Sequence, residues 1–247
     1  TVTDFDSNVR VIDMVTGTGF TMSGYPVRSL FSFNFQGLNE DGVPTFINES
    51  GQVTTSDIYF QEYNEKSHLV YEGSIDPTIT GSFGNVFTYK NFKLNVFMTY
   101  AFGNVIRLDP VFKSSYSDLT AMPKEFKNRW TVQGDELITN VPVIADKRLL
   151  NNDPYLSYAY NAYNYSTERV AKGDFIRMKE ISLTYDFPAK LIQPLKLSAL
   201  SLKLQATNLF LIYSDKKLNG QDPEFYNSGG VASPMPKQFT LTLRLGI

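Results

Sequence analysis

"SALSLKLQATNLFLI" (Ser198–Ile212) alternates between apolar and polar residues from Leu200 to Thr207. Leu200, Leu202, Leu204, Ala206, Phe210 and Ile212 share one parity, and Ser201, Lys203, Gln205 and Thr207 share the other. Asn208 is a single defect on the apolar side. Successive side chains of a strand point to opposite faces, so this stretch predicts a strand with one apolar and one polar face. The last residues, "KQFTLTLRLGI" (Lys237–Ile247), behave alike: Phe239, Leu241, Leu243, Leu245 and Ile247 oppose Gln238, Thr240, Thr242 and Arg244. Chain ends usually fray, so a strand pattern held to the final residue calls for a partner strand.

The same pattern recurs upstream. In 173–187, Ile181, Leu183, Tyr185 and Phe187 oppose Glu180, Ser182, Thr184 and Asp186. In 91–103, Phe92, Leu94, Val96, Met98, Tyr100 and Phe102 oppose Lys93, Asn95 and Thr99. The segment 81–90 carries Phe83, Phe87 and Tyr89, and 28–37 carries Phe31, Phe33 and Phe35. A weaker pattern, Val9 and Val11, covers 5–15. With the final stretch this predicts about seven strands.

Alternation alone suits a soluble sandwich as well as a barrel wall. The connections separate the two. Those near 16–26, 89–92 and 188–197 are short, whereas 38–80, 104–172 and 213–235 are long, and the two kinds alternate strictly. Long unstructured loops are uncommon in compact soluble domains, but outer-membrane barrels combine short periplasmic turns with long extracellular loops. The expectation is an all-β chain, an antiparallel up-and-down transmembrane β-barrel segment of about seven strands with long extracellular loops. Its apolar parity would meet lipid, and Arg244 would face the lumen. Between strands, "DFPAKLIQPLKL" (186–197) predicts one short helix, with Pro188 near its start.

Composition narrows the function. Aromatics reach 14%, which favours strands. Net charge is −2, giving no electrostatic case for a nucleic-acid partner. There is no Cys, which excludes disulfides and thiolate chemistry. The first residues form no signal peptide, and no apolar run reaches the roughly 20 residues of a membrane-spanning helix.

Several stretches together carry a family resemblance. They are "GYPVRSLFSFNFQGL" (24–38), "GSIDPTITGSFGNVFTYKNFKLNVFMTYAFGN" (73–104), "NRW" (128–130), "GDFIRMKEISLTYDFP" (173–188) and "LKLQATNLFLIYSDKKLNGQDPE" (202–224), followed by the terminal strand. In order and approximate spacing they resemble the C-terminal part of SusC/RagA-type TonB-dependent outer-membrane transporters of Bacteroidota. The resemblance implies a cell outer-membrane location and a large barrel of roughly 22 strands with a plugged lumen. It also implies import of glycans or oligosaccharides, and sometimes peptides, driven by TonB and shared with a SusD-like lipoprotein. On this reading residues 1–247 are the C-terminal part of the receptor barrel, and no plug domain lies in this chain. TonB would act through that plug, and the remaining barrel strands would come from another part of the protein or another chain.

No catalytic constellation is visible, no cofactor is implied, and no metal set stands out, so an enzyme is not expected. His68, the only histidine, sits in the predicted loop "NEKSHLVYEG", where a solvated side chain is the plainer reading. "NGQDPE" (219–224) has the acidity of a calcium loop without its regular spacing. The richest binding chemistry lies in "NRW" and "DPYLSYAYNAYNYS" (153–166). Candidate ligand residues are Arg129, Trp130, Tyr155, Tyr158, Tyr160, Asn161, Tyr163 and Asn164. Aromatic rings offer stacking faces and Arg or Asn offer hydrogen bonds, although the tyrosines could equally pack the loop on itself. "DIYFQEY" (57–63) shares that ambiguity. The alternative to a transporter segment is a secreted, soluble β-sandwich glycan-binding module; the two part on whether the isolated chain needs detergent.

Overall fold

The structure is a computed structural model that describes residues 9–61, 68–113, 122–226 and 235–247. The first part of the chain holds helix α1 (Val11–Val15) and strands β1 (Ser29–Phe33), β2 (Phe35–Leu38), β3 (Pro44–Ile47), β4 (Val53–Thr54) and β5 (Leu69–Ser74). Two long strands follow, β6 (Ile79–Tyr89) and β7 (Phe92–Phe102), then β8 (Val105–Arg107), α2 (Lys147–Asn152), α3 (Leu156–Asn164) and β9 (Val170–Lys172). The chain then runs through β10 (Phe175–Asp186), α4 (Ala189–Ile192), β11 (Ala199–Ser214) and β12 (Gln238–Gly246). These elements divide into two compact units: Pro77–Gly103 with Gly173–Ile247, and Thr1–Asp76 with Asn104–Lys172.

The first of these is a sheet unit. Its five strands lie in the order β12-β11-β10-β7-β6, every neighbouring pair antiparallel. Register sorts the sequence parities into faces. Phe87, Leu94, Leu183, Leu204 and Leu241 stand in one row across the sheet, and Tyr89, Phe92, Tyr185, Leu202 and Leu243 in another. Between them, on the opposite face, runs Thr88, Lys93, Thr184, Lys203 and Thr242. The expected split of Leu202, Leu204, Leu241, Leu243 and Leu245 from Lys203, Gln205, Thr242 and Arg244 is therefore present. The polar face carries ion pairs and hydrogen bonds: Lys93 to Asp186 at 2.8 Å, Lys203 to Glu180 at 3.7 Å, and Asn95 Nδ2 donating to Glu180 at 3.1 Å.

The defect at Asn208 is a bulge. Between the pairs Glu180–Thr207 and Met178–Phe210 the register shifts, and Asn208 takes a left-handed φ of 53°. Asn tolerates that region better than a β-branched or bulky residue, so it sits where the ladder must absorb extra chain. The β6–β7 turn is only Lys90–Asn91, with Lys90 at φ 52°. The β10–β11 connection holds the expected short helix, α4, with Pro188 as its N-cap residue.

Two of the expected strands are not part of this sheet, so five replace seven. Residues 28–37 form β1 and β2 in the other unit, where β1 pairs with β5 and β2 with β3. All five residues of β1 are buried, Ser29 and Ser32 included, so neither face could meet lipid or lumen. The segment 5–15 also differs: 1–8 lie outside the described residues, and 11–15 are helical. Val11, Met14 and Val15 recur at helical spacing and are all buried, a period that Val9 and Val11 alone could not show. The expected turn at 16–26 and loop at 38–80 are consequently not barrel connections. The other connections hold: 104–172 and 215–237 leave one end of the sheet, and 90–91 and 187–198 leave the other.

The second unit is globular. Val11, Val15, Phe33, Phe46, Val111 and Tyr163 form its main core cluster. Arg107, 7% exposed, ties its segments together. It donates to the carbonyls of Ser166 (2.8 Å), Val15 (3.2 Å) and Phe31 (2.7 Å) and to Ser32 Oγ (3.0 Å). Burial pulls its pKa down to about 10, with the charge of Glu72 opposing that fall, so it remains a cation at neutral pH.

Candidate functional site

In the globular unit the turn after β2 builds one wall of a groove. Asn39 Oδ1 accepts from the backbone N–H groups of Asp41 (3.1 Å) and Val43 (2.8 Å), the local bonding that favours Asn in turns. Gly42 sits at φ 74°, and a Cβ there would lie 2.5 Å from Trp130 Cδ2. The indole therefore lies directly against the glycine backbone. Trp130 N–H donates to the Val141 carbonyl (2.9 Å), and its Nε1–H to Glu136 Oε2 (2.9 Å). Asp135 Oδ2 accepts from Thr131 N–H, Thr131 Oγ1 and Val132 N–H at 2.8–3.1 Å. These bonds hold both carboxyls below their ordinary pKa: chiefly the Thr131 N–H for Asp135, and chiefly the Trp130 indole for Glu136. The opposite wall is α2, capped by Asp146 Oδ1 accepting from Leu149 N–H at 2.7 Å. Between the walls lies an open groove of about 530 Å³, lined by Asp41, Trp130, Val143, Arg148, Asn152 and Leu156 among others.

The candidate residues divide in three. Trp130 lines this groove, while Arg129 lies over the Phe126 ring at 5.2 Å and does not. Tyr155, Tyr158 and Asn161 are exposed along one side of α3 and its N-cap, with the tyrosine rings stacked at 6.4 Å. Tyr160, Tyr163 and Asn164 are buried, which corrects their assignment as ligand contacts. Tyr160 packs on Phe112 at 5.2 Å and Tyr163 on Phe35 at 5.5 Å. Burial pushes the Tyr163 hydroxyl pKa up. Asn164 Oδ1 accepts from Val111 and Phe112 N–H, and its Nδ2 donates to the Phe112 carbonyl, each at 3.0 Å. The stretch read as a loop is a helix, and its 3.6-residue period sorts the tyrosines into core and surface.

Asp41, Arg148 and Asn152 were not among the candidates. "NEDG" (39–42) carried a turn signal, but nothing in the sequence joined it to Trp130 or to α2. In "DIYFQEY", Ile58 is buried and Tyr59 exposed, while Glu62 and Tyr63 lie outside the described residues. His68 departs from expectation too: its side chain is 6% exposed, 3.9 Å from Glu49 and beside the Phe33 ring. In the sheet unit, "DPE" closes on "FIRM". Arg177 pairs with Asp222 at 2.5 Å and with Glu224 at 3.2 Å, and Arg177 and Asp222 are each 5% exposed. The acidic groups considered for calcium thus hold an arginine.

Taken alone, the sheet is a barrel-wall segment. Its apolar face is open, with Leu204, Leu241 and Leu243 each more than half exposed at 54%, 65% and 59%. Aromatics bound that face: Tyr89, Phe92, Tyr185 and Phe187 near the short turns, and Tyr100, Phe102 and Tyr213 near the other end. The Phe92 and Tyr100 rows are about 27 Å apart along the strand at ~3.4 Å per residue. A strand tilt of about 40° reduces this to roughly 20 Å of height, near that of an outer-membrane apolar band. Among the described residues no helix is long and apolar enough to cross a membrane, a fact that does not bear on crossing by strands.

Comparison with known proteins agrees. The chain is 28% identical over 190 residues to the TonB-dependent receptor P39 of Formosa agariphila, covering 72% of this chain and 17% of that protein. In fold it is similar to the RagAB peptide transporter, with a TM-score of 0.65 and 22% identity over 93% of this chain and 23% of that one. The "closed-closed" RagAB peptide importer gives a TM-score of 0.62 at 22% identity, over 90% of this chain and 23% of that one. No family model matches. These likenesses agree with the resemblance to SusC/RagA-type TonB-dependent transporters and with the barrel-wall fold of the sheet. The chain spans only 17% of the curated relative's length.

Proposed function

We propose that residues 1–247 form the C-terminal part of a TonB-dependent receptor barrel that imports oligomeric nutrients, glycans or peptides, across the outer membrane. The observation that carries this is the sheet: an open apolar face bounded by aromatics, backed by a wet, charged face, with all long connections at one end. The relatives support the class, one named a TonB-dependent receptor and the others a peptide transporter or importer. A SusD-like lipoprotein is the proposed partner on the long-loop side. TonB would act through a plug region, and other strands would pair with the free edges of β6 and β12. Uptake by cells carrying the whole protein tests this. Fluorescently labelled oligosaccharides or oligopeptides should accumulate only when TonB is present, and equal uptake after TonB deletion defeats the reading.

A further inference from the structure

The two short turns of the sheet are fastened to each other. Asn91 Nδ2 donates to the Asp186 carbonyl at 2.6 Å, and the Asp186 N–H donates to the Asn91 carbonyl at 2.9 Å. Lys90 precedes the first of these residues and Lys190 closely follows the second, so lysines from two connections stand on joined turns. Residues 77–103 and 186–214 hold one carboxylate side chain, Asp186, and Lys93 takes it at 2.8 Å. Lys203 pairs instead with Glu180. Lys90, Lys190 and Lys196 are exposed and have no ion pair among the described residues. The Lys90 ammonium lies 5.3 Å from the centroid of the Tyr89 ring, one of the aromatics that bound the apolar face. On the second turn, α4 and the residues after it bury Ile192 but expose Leu191 and Leu195, four residues apart, between Lys190 and Lys196. Exposed leucines flanked by lysines, next to an aromatic belt, are the pattern of a surface that lies in a headgroup layer. A soluble anion would leave the leucines in water, and a headgroup of no net charge would leave the lysines unmatched. An anionic phospholipid answers both.

We propose that these joined turns bind an anionic phospholipid, its headgroup phosphate toward Lys90, Lys190 and Lys196 and its acyl chains toward Leu191, Leu195 and the apolar face. The proposal rests on the barrel-wall reading of the sheet and not on import. Short turns are periplasmic in outer-membrane barrels, so the lipid belongs to the inner leaflet. The whole protein, in nonionic detergent, is irradiated with a phosphatidylglycerol that carries a diazirine on its acyl chain near the glycerol, and labelled peptides are mapped by mass spectrometry. Label should appear in residues 187–198. Unlabelled phosphatidylglycerol should compete for it at least about fivefold better than phosphatidylethanolamine of the same chains, since each lysine beside a charged headgroup is worth about fivefold in affinity. Lys90→Gln, Lys190→Gln and Lys196→Gln together should cut labelling at limiting lipid about tenfold or more, and about 1 M salt should cut it in the parent protein. Lys216→Gln with Lys237→Gln, at the other end of the sheet, should leave it unchanged. The heat-resistant folded band on cold SDS gels certifies assembly of each variant. No label in 187–198, equal competition by the two lipids, or labelling that survives the triple substitution or high salt overturns the proposal. Uptake that proves independent of TonB, with the labelling retained, would defeat only the import reading.

Discussion

At the scale of single residues, Trp130 shows what the sequence displayed and what it hid. Its type marked it as a binding candidate, yet its position depends on Gly42, more than eighty residues earlier, and on a hydrogen bond to Glu136. That bond makes Trp130 a pH reporter. Glu136 has its pKa lowered from 4.5, first by the indole, so its folded pKa lies below its unfolded one. The interaction is fully present above the unfolded value and is lost as pH falls through the depressed folded value. Trp130 emission should therefore hold steady from neutral pH down past about 4.5 and change only below it. Glu136→Ala should abolish that acid transition and shift the emission at neutral pH. A transition near neutrality, or one left unaltered in Glu136→Ala, would sink the assignment. The same scale explains the tyrosines. Tyr155 and Tyr160 have identical chemistry, and only their places, at the N-cap of α3 and within it, make one 62% exposed and the other 2%.

At the scale of elements, legibility followed length. The five strands of the sheet, nine to sixteen residues each, were all visible as alternation and all lie within or close to the expected segments. Of the five-residue elements, α1 replaces an expected strand, and β1 is the expected strand but pairs outside the sheet, because so few positions carry no period that competes with tertiary burial. β1 alternates Phe31 and Phe33 with Ser32, but Ser32 is as buried as its neighbours. For the long strands, face assignment leads to a sharp contrast at adjacent positions of β12. Leu243 shares a row with Leu202 and Tyr185, whereas Thr242 opposes Lys203 and Thr184. An arginine on the lipid face costs about 2–4 kcal/mol near mid-membrane and far less in a wet lumen. Leu243→Arg should reduce the heat-resistant folded band of the assembled barrel on cold SDS gels, and Thr242→Arg should leave it intact. Equal loss in both would reverse or erase the face assignment.

At the scale of the whole molecule, the two edges of the sheet matter most. β6 and β12 stand at opposite ends of the five-strand order and do not pair with each other. Open edges leave backbone donors and acceptors unmet, a heavy penalty in lipid, so further strands must pair there in the membrane. No cysteine occurs in residues 1–247, so introduced pairs can be followed within this segment. Cysteines at Gln205 and Thr240, directly opposite on β11 and β12, should form a disulfide in the folded protein. Closing the five strands on themselves would bring β6 against β12 with the register staggered by the barrel's shear, so a cysteine at Thr240 is combined in turn with one at Thr80, Ser82, Gly84, Val86 and Thr88, the polar-face positions of β6. Reducing and non-reducing gels, after oxidation in membranes, should show the Gln205–Thr240 cross-link and none of the β6–Thr240 set. A disulfide from any one β6 position to Thr240, formed as readily as the Gln205–Thr240 one, would mean a sealed small barrel, leave no edge for other strands, and refute the reading of this sheet as one arc of a larger wall.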